Sequence, residues 1–353
     1  MIQLLTLADV MIEHATFPSG SKMTEEITYP RPNLKDFTLN DNNLEQACPL
    51  DNGRHVIDQD HDLGVLEKLP LELLHSILVG IDIRSLTDFR RVNKRAMQVV
   101  DSISAYQSIL RHSPASIRGI LSTGIGSHIS CQRLIDALNE PRCESCGDFG
   151  GYIYLLTCRR VCFLCFYEKQ DYFPLLISEA ERKYGVPRRL LTSLPSVRSI
   201  PGRYAPNKYS CKTRLTLIHS EAAHCMGLEH HGSTQVMEQF VAGAAQRKSE
   251  THRQRTEGQA GSTSSRPPRT DVQEGRMADP RRFMAVVGAP WINKLTNAAA
   301  WGFHCIGCKK QYRSRPLHWR RKYCLGTFDD HIEQCGRIVN GQHCLADSAT
   351  RER

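Results

Sequence analysis

The middle of the chain carries two cysteine pairs whose spacing is typical of a metal site. Cys143 and Cys146 are separated by two residues, and so are Cys162 and Cys165. A C-x-x-C knuckle lets one backbone turn direct two sulfurs at the same ion, and four thiolates close a tetrahedral structural zinc site with no position left for a substrate water. Cys158 could replace Cys162 as a ligand, but paired knuckles suit zinc geometry better. We therefore expect the two knuckles to bind one zinc ion.

The end of the chain carries a second set of residues that could bind zinc. Cys305 and Cys308 form a third knuckle, and the stretch "TFDDHIEQCG" at 327–336 predicts a short helix. His331 and Cys335 are four residues apart, so on a helix their side chains lie on one face. The pattern predicts a ββα-like zinc finger of the CCHC type, with these four residues as ligands.

Other histidines and cysteines leave the second ligand set open. His318 and Cys324 also follow the third knuckle and could replace the helical pair. We favour the helical pair because Thr327 can cap a helix there and thereby fix both ligands on one face. His343 and Cys344 lie beyond the motif, and we do not expect them to bind the ion.

The start of the chain bears on the choice between zinc and disulfides. No basic residue precedes the apolar N-terminal stretch, no small-residue cleavage site follows it, and no segment reaches the ~18 apolar residues of a membrane span. We therefore expect a protein of the cytoplasm or nucleus that does not associate with membranes. Structural disulfides rarely persist in those reducing compartments, so closely spaced cysteines favour metal there. A thioredoxin-like redox pair would lie beside a βαβ pattern, and none is visible.

The predicted zinc sites do not favour catalysis, because four protein ligands saturate each ion. His219 and His224 are five residues apart, whereas the two histidines of a zincin helix are four apart. His219 and Glu221, taken with the third knuckle, resemble a zinc-deaminase signature, but His304 stands where that signature has proline. We expect two structural zinc ions and no enzymatic activity.

Charge and composition divide the chain. Residues 246–353 hold 20 Lys and Arg against 10 Asp and Glu, whereas the other residues hold 26 against 27. A basic region can indicate nucleic acid binding. Apolar residues are nearly absent from 244–282, which predicts a disordered linker over 246–282. Residues 1–62 contain several loop-forming stretches and predict a weakly structured N-terminal tail.

Between these regions the spacing of apolar residues predicts three short helices. The first follows Pro70, the second could be capped by Ser85, and the third could be capped by Asn93. The stretch 150–157 predicts a strand that returns the chain to the second knuckle. A helical unit of ~40 residues buries little surface by itself, so we expect part of its apolar stripe to face a partner.

The helical stretch resembles an F-box, the short module that docks onto the Skp adaptor of cullin–RING ubiquitin ligases. The positions that carry the resemblance are Leu69, Pro70, Leu73, Leu74, Ile77, Leu78, Leu86, Phe89, Val92 and Asn93. The resemblance implies that the first eight of them contact the adaptor. Many F-boxes have a Trp in the third helix, where this chain has Arg95, Ala96 and Met97.

The F-box-like start, the paired knuckles and the stretch "LPSVRSIPGRY" at 194–204 together are similar to fungal F-box proteins with Cys-rich C-terminal regions. This resemblance implies an adaptor that binds the Skp adaptor and the cullin ligase core and recruits an unidentified target protein for ubiquitination. The alternative is a nucleic-acid-binding zinc-finger protein that uses its basic C-terminal third. Asp329, Asp330 and Glu333 make the predicted C-terminal helix acidic, which argues against DNA recognition.

The sequence as a whole predicts a mainly α fold with a small β element at the paired knuckles. The predicted regions are a tail over 1–62, an F-box-like domain over 63–112, a helical region with the four-cysteine knuckle over 113–245, a linker over 246–282 and a zinc-finger region over 283–353.

Overall fold

A computed structural model of the chain describes residues 27–29, 35–42, 44–48, 62–204, 210–257, 279–310 and 317–344. The fold is mainly helical, as the sequence predicts. The described helices are α1 (Leu44–Ala47), α2 (Leu71–Gly80), α3 (Ile83–Arg90), α4 (Lys94–Asp101), α5 (Ser104–His112), α6 (Pro114–Thr123), α7 (Cys131–Asn139), α8 (Phe163–Glu168), α9 (Ile177–Tyr184), α10 (Arg188–Leu191), α11 (Ser220–His231), α12 (Thr234–Glu257), α13 (Arg281–Met284) and α14 (Leu325–Cys335). Among these helices, none combines the length and the apolar character that crossing a bilayer requires.

The strands are short and form several small antiparallel sheets. They are β1 (Thr28–Tyr29), β2 (Tyr152–Tyr154), β3 (Arg159–Val161), β4 (Leu175–Leu176), β5 (Ser196–Arg198), β6 (Gly202–Arg203), β7 (Ser210–Cys211), β8 (Thr216–Ile218), β9 (Val286–Gly288), β10 (Trp291–Ile292), β11 (Ala299–Ala300), β12 (His304–Cys305), β13 (Arg337–Val339) and β14 (Gln342–Cys344). β2 lies within 150–157, where the sequence predicts a strand, and β3 follows it without having been predicted.

The three short helices α2, α3 and α4 occupy the stretch where the sequence predicts them. The Asp82 carboxylate accepts a hydrogen bond from the Ser85 amide at 2.9 Å and caps α3. The prediction of Ser85 as the cap is therefore wrong by three residues. Asn93 caps α4 as predicted, since its side-chain oxygen accepts a hydrogen bond from the Ala96 amide at 2.7 Å.

These three helices share one hydrophobic core with the elements that follow them. Leu74, Leu78 and Leu86 are buried in the same cluster as apolar residues of α5, α6 and α7 and cysteines of the two central knuckles. α2 packs against α4 and α7, and α3 packs against α6. Because a three-helix unit alone buries little apolar surface, this shared core supplies the burial that it lacks. The predicted domain boundary at residue 112 therefore falls inside a continuous core.

A three-stranded sheet joins the middle of the chain to its C-terminal region. β2 is the central strand and pairs with β3 on one side and β9 on the other, so that Tyr152 lies opposite both Val161 and Gly288. The Leu155 amide extends the second pairing by donating to the Ala285 carbonyl at 2.8 Å. The predicted division into a helical region that ends at 245 and a separate region that starts at 283 is therefore wrong.

The predicted linker is also wrong at both of its ends. Helix α12 continues through residues 246–257, and α13 lies inside the main core. The fully buried guanidinium of Arg282 donates to the Lys169 carbonyl at 2.6 Å and to the Phe166 carbonyl at 3.2 Å. These contacts satisfy carbonyls at the C-terminal end of α8. Residues 258–278 of the predicted linker lie outside the described residues.

Parts of the N-terminal tail pack against the core, contrary to the prediction. Leu39 and Leu44 are buried in the main cluster. The Asp36 carboxylate accepts hydrogen bonds from the Tyr152 hydroxyl and the Arg320 guanidinium, both at 2.5 Å. β1 pairs with β12, which places another piece of the tail beside the third knuckle. The rest of the tail up to residue 61 lies outside the described residues.

A smaller core lies beside the main one. β8 is the central strand of a sheet with β4 and β5, and Leu175 lies opposite Ile218. Apolar residues of this sheet pack with α9, α10, α11 and Met237 of α12. An ion pair between Glu179 of α9 and Arg281 of α13 connects the smaller core to the main one.

The buried guanidinium of Arg160 holds three segments of the chain together. It donates hydrogen bonds to carbonyls at the end of α7, before β2 and after β9, which belong to Ala137, Leu138, Gly150, Ala289 and Pro290. The last turn of a helix leaves carbonyls without intrahelical partners, and a cation placed there satisfies them. The next carbonyl of α7, that of Asn139, accepts from the Trp291 indole at 2.9 Å. The C-terminal segment therefore completes the end of α7.

Replacing Arg160 with Met should strongly destabilise the whole core, because it leaves several buried carbonyls without donors. We expect a loss of about 3 kcal/mol or more in the free energy of unfolding, since each unsatisfied buried polar group costs about 1–3 kcal/mol. The exposed neighbour Arg159, which pairs with Glu144 at 2.9 Å, provides the matched control. The substitution Arg159→Met should cost under about 1 kcal/mol. Urea denaturation followed by circular dichroism would measure both, and equal losses would contradict the capping role.

Candidate metal centres and exposed helical face

The two central knuckles bring four sulfurs together, and we call this cluster the first centre. The Sγ atoms of Cys143, Cys146, Cys162 and Cys165 all lie within 4.8 Å of one another. Those of Cys146 and Cys162 are 3.6 Å apart. Two sulfurs bound to one zinc ion at about 2.3 Å are about 3.8 Å apart in a tetrahedron, so the spacing fits zinc. The alternative ligand Cys158 is buried in the turn between β2 and β3, outside this cluster.

Different elements fix the two knuckles of the first centre. β3 ends at Val161 and delivers Cys162 to the N-terminal end of α8, where its Sγ accepts a hydrogen bond from the Cys165 amide at 3.4 Å. A helix N-terminus stabilises negative charge, which suits a thiolate. The first knuckle is held against β3 by the Glu144 amide, which donates to the Arg160 carbonyl at 3.0 Å. The strand pairing therefore determines how the four sulfurs meet.

The electrostatics of the first centre favour a bound cation. Hydrogen bonding with Cys146 lowers the pKa of the Cys143 thiol, whereas hydrogen bonding with Cys143 raises the pKa of Cys162. Thiols this close cannot all ionise by themselves, because each thiolate disfavours the next. A divalent cation removes that conflict and lets all four bind as thiolates. Zinc bound to them would be structural, because four protein ligands leave no open position.

The second centre lies at the third knuckle and consists of Cys305, Cys308, His331 and His343. The Cys305 Sγ lies 3.3 Å from the His343 Nε2, and the Cys308 Sγ lies 3.4 Å from the His331 Nε2. Sulfur and nitrogen ligands of one zinc ion are about 3.6 Å apart, given bonds of about 2.3 and 2.1 Å. The neighbouring Cys308 thiol lowers the pKa of Cys305 to about 4, so this cysteine is available as a thiolate. These donors also fit zinc.

The histidines of the second centre are oriented as metal-binding histidines are. The Nδ1 atom of His343 lies 2.8 Å from the Gly336 carbonyl, which only accepts hydrogen bonds. His343 therefore carries its proton on Nδ1, and its Nε2 lone pair faces the cysteines. The Nδ1 atom of His331 lies 3.2 Å from the Tyr323 hydroxyl, and the two rings stack with their centroids 4.4 Å apart. Such contacts of the ring nitrogen that does not face the metal fix the orientation of the imidazole for metal binding.

The fourth residue of the second centre differs from the prediction, because the structure places His343 there and leaves Cys335 out. Cys335 is the last residue of α14, and the chain then folds back through the hairpin of β13 and β14. Asn340 and Gly341 form its turn with φ values of 53° and 73°. Positive φ at both central residues is typical of a type I′ turn, for which Asn-Gly is a strong signal. That dipeptide could have revealed His343 from the sequence.

Other details of the predicted finger are also corrected. The hairpin follows the helix, so the order of elements is not ββα, and β12 pairs with β1 instead. α14 begins after Cys324, so Thr327, which was predicted to cap the helix, lies inside its first turn. The Thr327 hydroxyl accepts a hydrogen bond from the Cys324 amide at 3.0 Å. Neither Cys324 nor His318, the alternative ligands, belongs to the described cluster.

Gly307 makes room for His343 in the second centre. A Cβ atom at this position would lie 2.6 Å from the His343 Cδ2 and 2.8 Å from its Nε2. Contacts this short do not occur between real side chains, so any larger residue would displace the imidazole. The third knuckle thus requires glycine at position 307, and the spacing of its cysteines alone does not show this requirement.

The F-box-like helices divide their apolar residues between the core and the surface. Leu74, Leu78 and Leu86, which were expected to contact the adaptor, are buried in the chain's own core, and Phe89 is partly buried against it. Leu73 and Ile77 are 55% and 52% exposed. Further exposed apolar residues that the prediction did not assign to this surface are Val65, Leu66, Leu71 and Val92. We call Val65, Leu66, Leu71, Leu73, Ile77 and Val92 the exposed helical face.

Comparison with known families identifies the module that carries this face. The family model of the F-box domain matches residues 66–108. The chain contains an F-box domain. The match begins just before α2 and ends within α5, so it includes the three predicted helices. Comparisons of the chain with curated proteins and with solved structures give no match.

Zinc content should distinguish the two candidates for the fourth ligand. We expect the purified protein to hold about two zinc ions per chain by elemental analysis. The variant His343→Ala should hold about one, because the second centre loses a ligand, whereas Cys335→Ser should still hold about two. Substitution with cobalt, followed by visible absorption, would report the same loss of a sulfur–nitrogen site. Loss of one ion from Cys335→Ser with retention in His343→Ala would contradict the assignment.

The substitution Gly307→Ala should weaken the second centre without removing any ligand. The added methyl group displaces the His343 imidazole, so we expect a lower zinc affinity, measured by competition with a chromophoric chelator. Gly326→Ala is the matched control, because no atom lies within 4 Å of a Cβ added in this part of α14. The control should leave zinc affinity unchanged. Equal affinity of both variants would show that the imidazole is not confined as described.

Proposed function

We propose that this chain is the substrate-recognition adaptor of a Skp–cullin–F-box ubiquitin ligase. In this proposal the F-box domain docks onto the Skp adaptor and the cullin ligase core, and the zinc-stabilised remainder recruits a target protein in the cytoplasm or nucleus. The observation that carries the proposal is the F-box match at residues 66–108. An F-box domain supports an adaptor role. The proposal adds that the rest of the chain recruits a target protein.

The exposed helical face supports docking at this domain. Val65 is 79% exposed and Val92 is 65% exposed, and both lie within or just before the matched residues. Fully burying an aliphatic side chain of this size contributes about 1.5–3 kcal/mol, so a partner that covers several of them gains substantial affinity. Leu74 and Leu78 of α2 already pack in the core. The helix therefore holds its position without the partner and presents its other side to it.

The chemistry of ubiquitin transfer would take place elsewhere in such a ligase. Neither metal centre offers an open coordination position, since each gathers four protein ligands. The chain would instead contribute proximity, because tethering a target raises the local concentration of its lysines near the charged ubiquitin. The contribution of zinc would be to stabilise the surface that holds the target.

The alternative function, nucleic acid binding by the C-terminal third, has less support. Several cations of that region lie inside the protein, where Arg281, Arg282 and Arg320 are buried. Arg321 forms an ion pair with Asp148. These side chains stabilise the fold and are not presented to phosphates, so the basic composition of the region overstates its basic surface.

Truncating the exposed helical face should weaken capture of the Skp adaptor while the fold persists. The double variant Leu73→Ala and Ile77→Ala removes about half of two large side chains from a docked surface. We expect about tenfold to a hundredfold weaker binding, because loss of about 1.4 kcal/mol corresponds to tenfold. Binding to the purified adaptor can be measured by isothermal titration calorimetry.

The matched control is Leu295→Ala and Val339→Ala, two exposed aliphatic residues outside the F-box domain. This variant should bind the adaptor like the wild type, and both variants should keep about two zinc ions per chain. Wild-type affinity of the Leu73 and Ile77 variant would remove the docking role of this face. Recovery of a cullin together with the wild-type chain from a cell extract would extend the test to the whole ligase.

A further inference from the structure

A long acid-free stretch follows the first centre. Residues 182–220 contain nine Lys and Arg and neither Asp nor Glu. The rest of residues 1–245 holds 17 Lys and Arg against 27 Asp and Glu, so positive charge is segregated into this stretch. The overall balance of the N-terminal 245 residues, which is close to neutral, conceals this segregation.

The structure presents these cations to solvent. Eight of the nine lie among the described residues, and all eight are exposed: Arg182, Lys183, Arg188, Arg189, Arg198, Arg203, Lys212 and Arg214. Apart from Arg203, which lies over the Phe37 ring, we call them the basic surface. They extend from the end of α9 through α10 to β5 and the segment before β8, and α9, α10 and β8 contribute residues to the smaller core.

Within the described part of the chain, three arginines of the basic surface lie outside the described ion pairs. Arg188, Arg189 and Arg198 take part in none of the described ion pairs, which instead join arginines of other regions to nearby acids. The carboxylate of Glu179, on the same helix as Arg182 and Lys183, is already paired with Arg281. Exposed arginines that lie outside these ion pairs create a positive potential that attracts an anionic ligand.

The form of the basic surface favours an acidic protein segment over nucleic acid. Tyr184 and Tyr204 are buried, so they offer no exposed ring for stacking a base. α10 has only four residues, which is too short to fill a DNA groove as a recognition helix does. The cations project from successive short elements, an arrangement that an extended chain with repeated carboxylates can follow.

An open cleft of about 460 Å³ beside the first centre is a weaker candidate for target binding. Arg133, Arg142 and Arg159 line it, but so do Asp136, Glu140 and Glu144. The opposite charges offset one another, and Arg159 already pairs with Glu144. The basic surface therefore has the clearer preference for one kind of ligand.

We propose that the basic surface binds an Asp- and Glu-rich segment of a partner protein. This inference rests on the proposed adaptor function, in which that partner is the recruited target. The surface lies outside the F-box domain, so the adaptor and an acidic target would bind at separate places on one chain. Ion pairs at an exposed surface are individually weak, so binding depends on several cations acting together.

The test uses the full-length, zinc-loaded protein and a fluorescein-labelled peptide of alternating glutamate and serine. Fluorescence anisotropy at low salt should detect binding, and binding should weaken as ionic strength rises. The triple variant Arg188→Gln, Arg189→Gln and Arg198→Gln should bind about tenfold more weakly, from three lost ion pairs. The matched variant Arg111→Gln, Lys294→Gln and Arg337→Gln removes the same charge from exposed positions elsewhere and should bind like the wild type.

Three results would overturn the proposal. The first is that the wild type does not bind the peptide, and the second is that both triple variants lose the same amount of binding. The third is that a single-stranded DNA oligonucleotide binds more tightly than the peptide, and that the triple variant of Arg188, Arg189 and Arg198 no longer binds it. Circular dichroism and zinc content should be unchanged in both variants, so that a loss of binding does not reflect misfolding.

Capture of the Skp adaptor is measured on the same proteins and should be unchanged. Peptide binding without adaptor capture would remove the proposed ligase function and leave the basic surface in place, and the reverse result would remove only this inference.

Discussion

The pairing of β2 with both β3 and β9 is the constraint on which most of the structure depends. β3 leads directly into the second central knuckle, so its register determines where Cys162 meets the first knuckle. β9 comes from the other side of residues 246–282 and lies along the opposite edge of β2. Because strand pairing satisfies backbone groups that are buried here, neither neighbour can leave without exposing unpaired donors and acceptors. The candidate metal centre and the C-terminal region are thus parts of one core.

Buried arginines reinforce that pairing from both sides. Arg160 on β3 completes the end of α7, and Arg282 beside β9 completes the end of α8. Each places a cation among helix carbonyls that have no intrahelical partner, which offsets the cost of burying the charge. Arg282, which belongs to the basic C-terminal region in the sequence, therefore acts inside the fold. Residues 182–220, by contrast, contain exposed cations and no acidic residue.

The F-box helices are held in place by the core and still keep apolar side chains exposed at the surface. α2 uses Leu74 and Leu78 to pack against the core and keeps Leu73 and Ile77 at the surface. An isolated unit of this size would gain little from burial, so its attachment to α5, α6 and α7 stabilises the helices in advance of docking. A preformed face loses less conformational freedom when a partner binds than a face that must fold first.

Local sequence determined the features of this protein that depend on neighbouring residues. Helical spacing and the Asn93 cap located α2, α3 and α4, and the paired C-x-x-C motifs located the sulfurs of the first centre, because a knuckle is a property of one turn. The β-rich stretch 150–157 located β2 for the same reason.

Only the tertiary structure decided the features that join distant residues. The choice of His343 over Cys335 depended on a hairpin that reverses the chain after α14, and the buried roles of Leu39, Arg160 and Arg282 depended on partners far away in the sequence. Spacing along the chain records which residues a turn or a helix brings together. It does not record which segment will cover a helix end or pair with a strand edge, because many segments of similar composition could do so and only the packed core selects one.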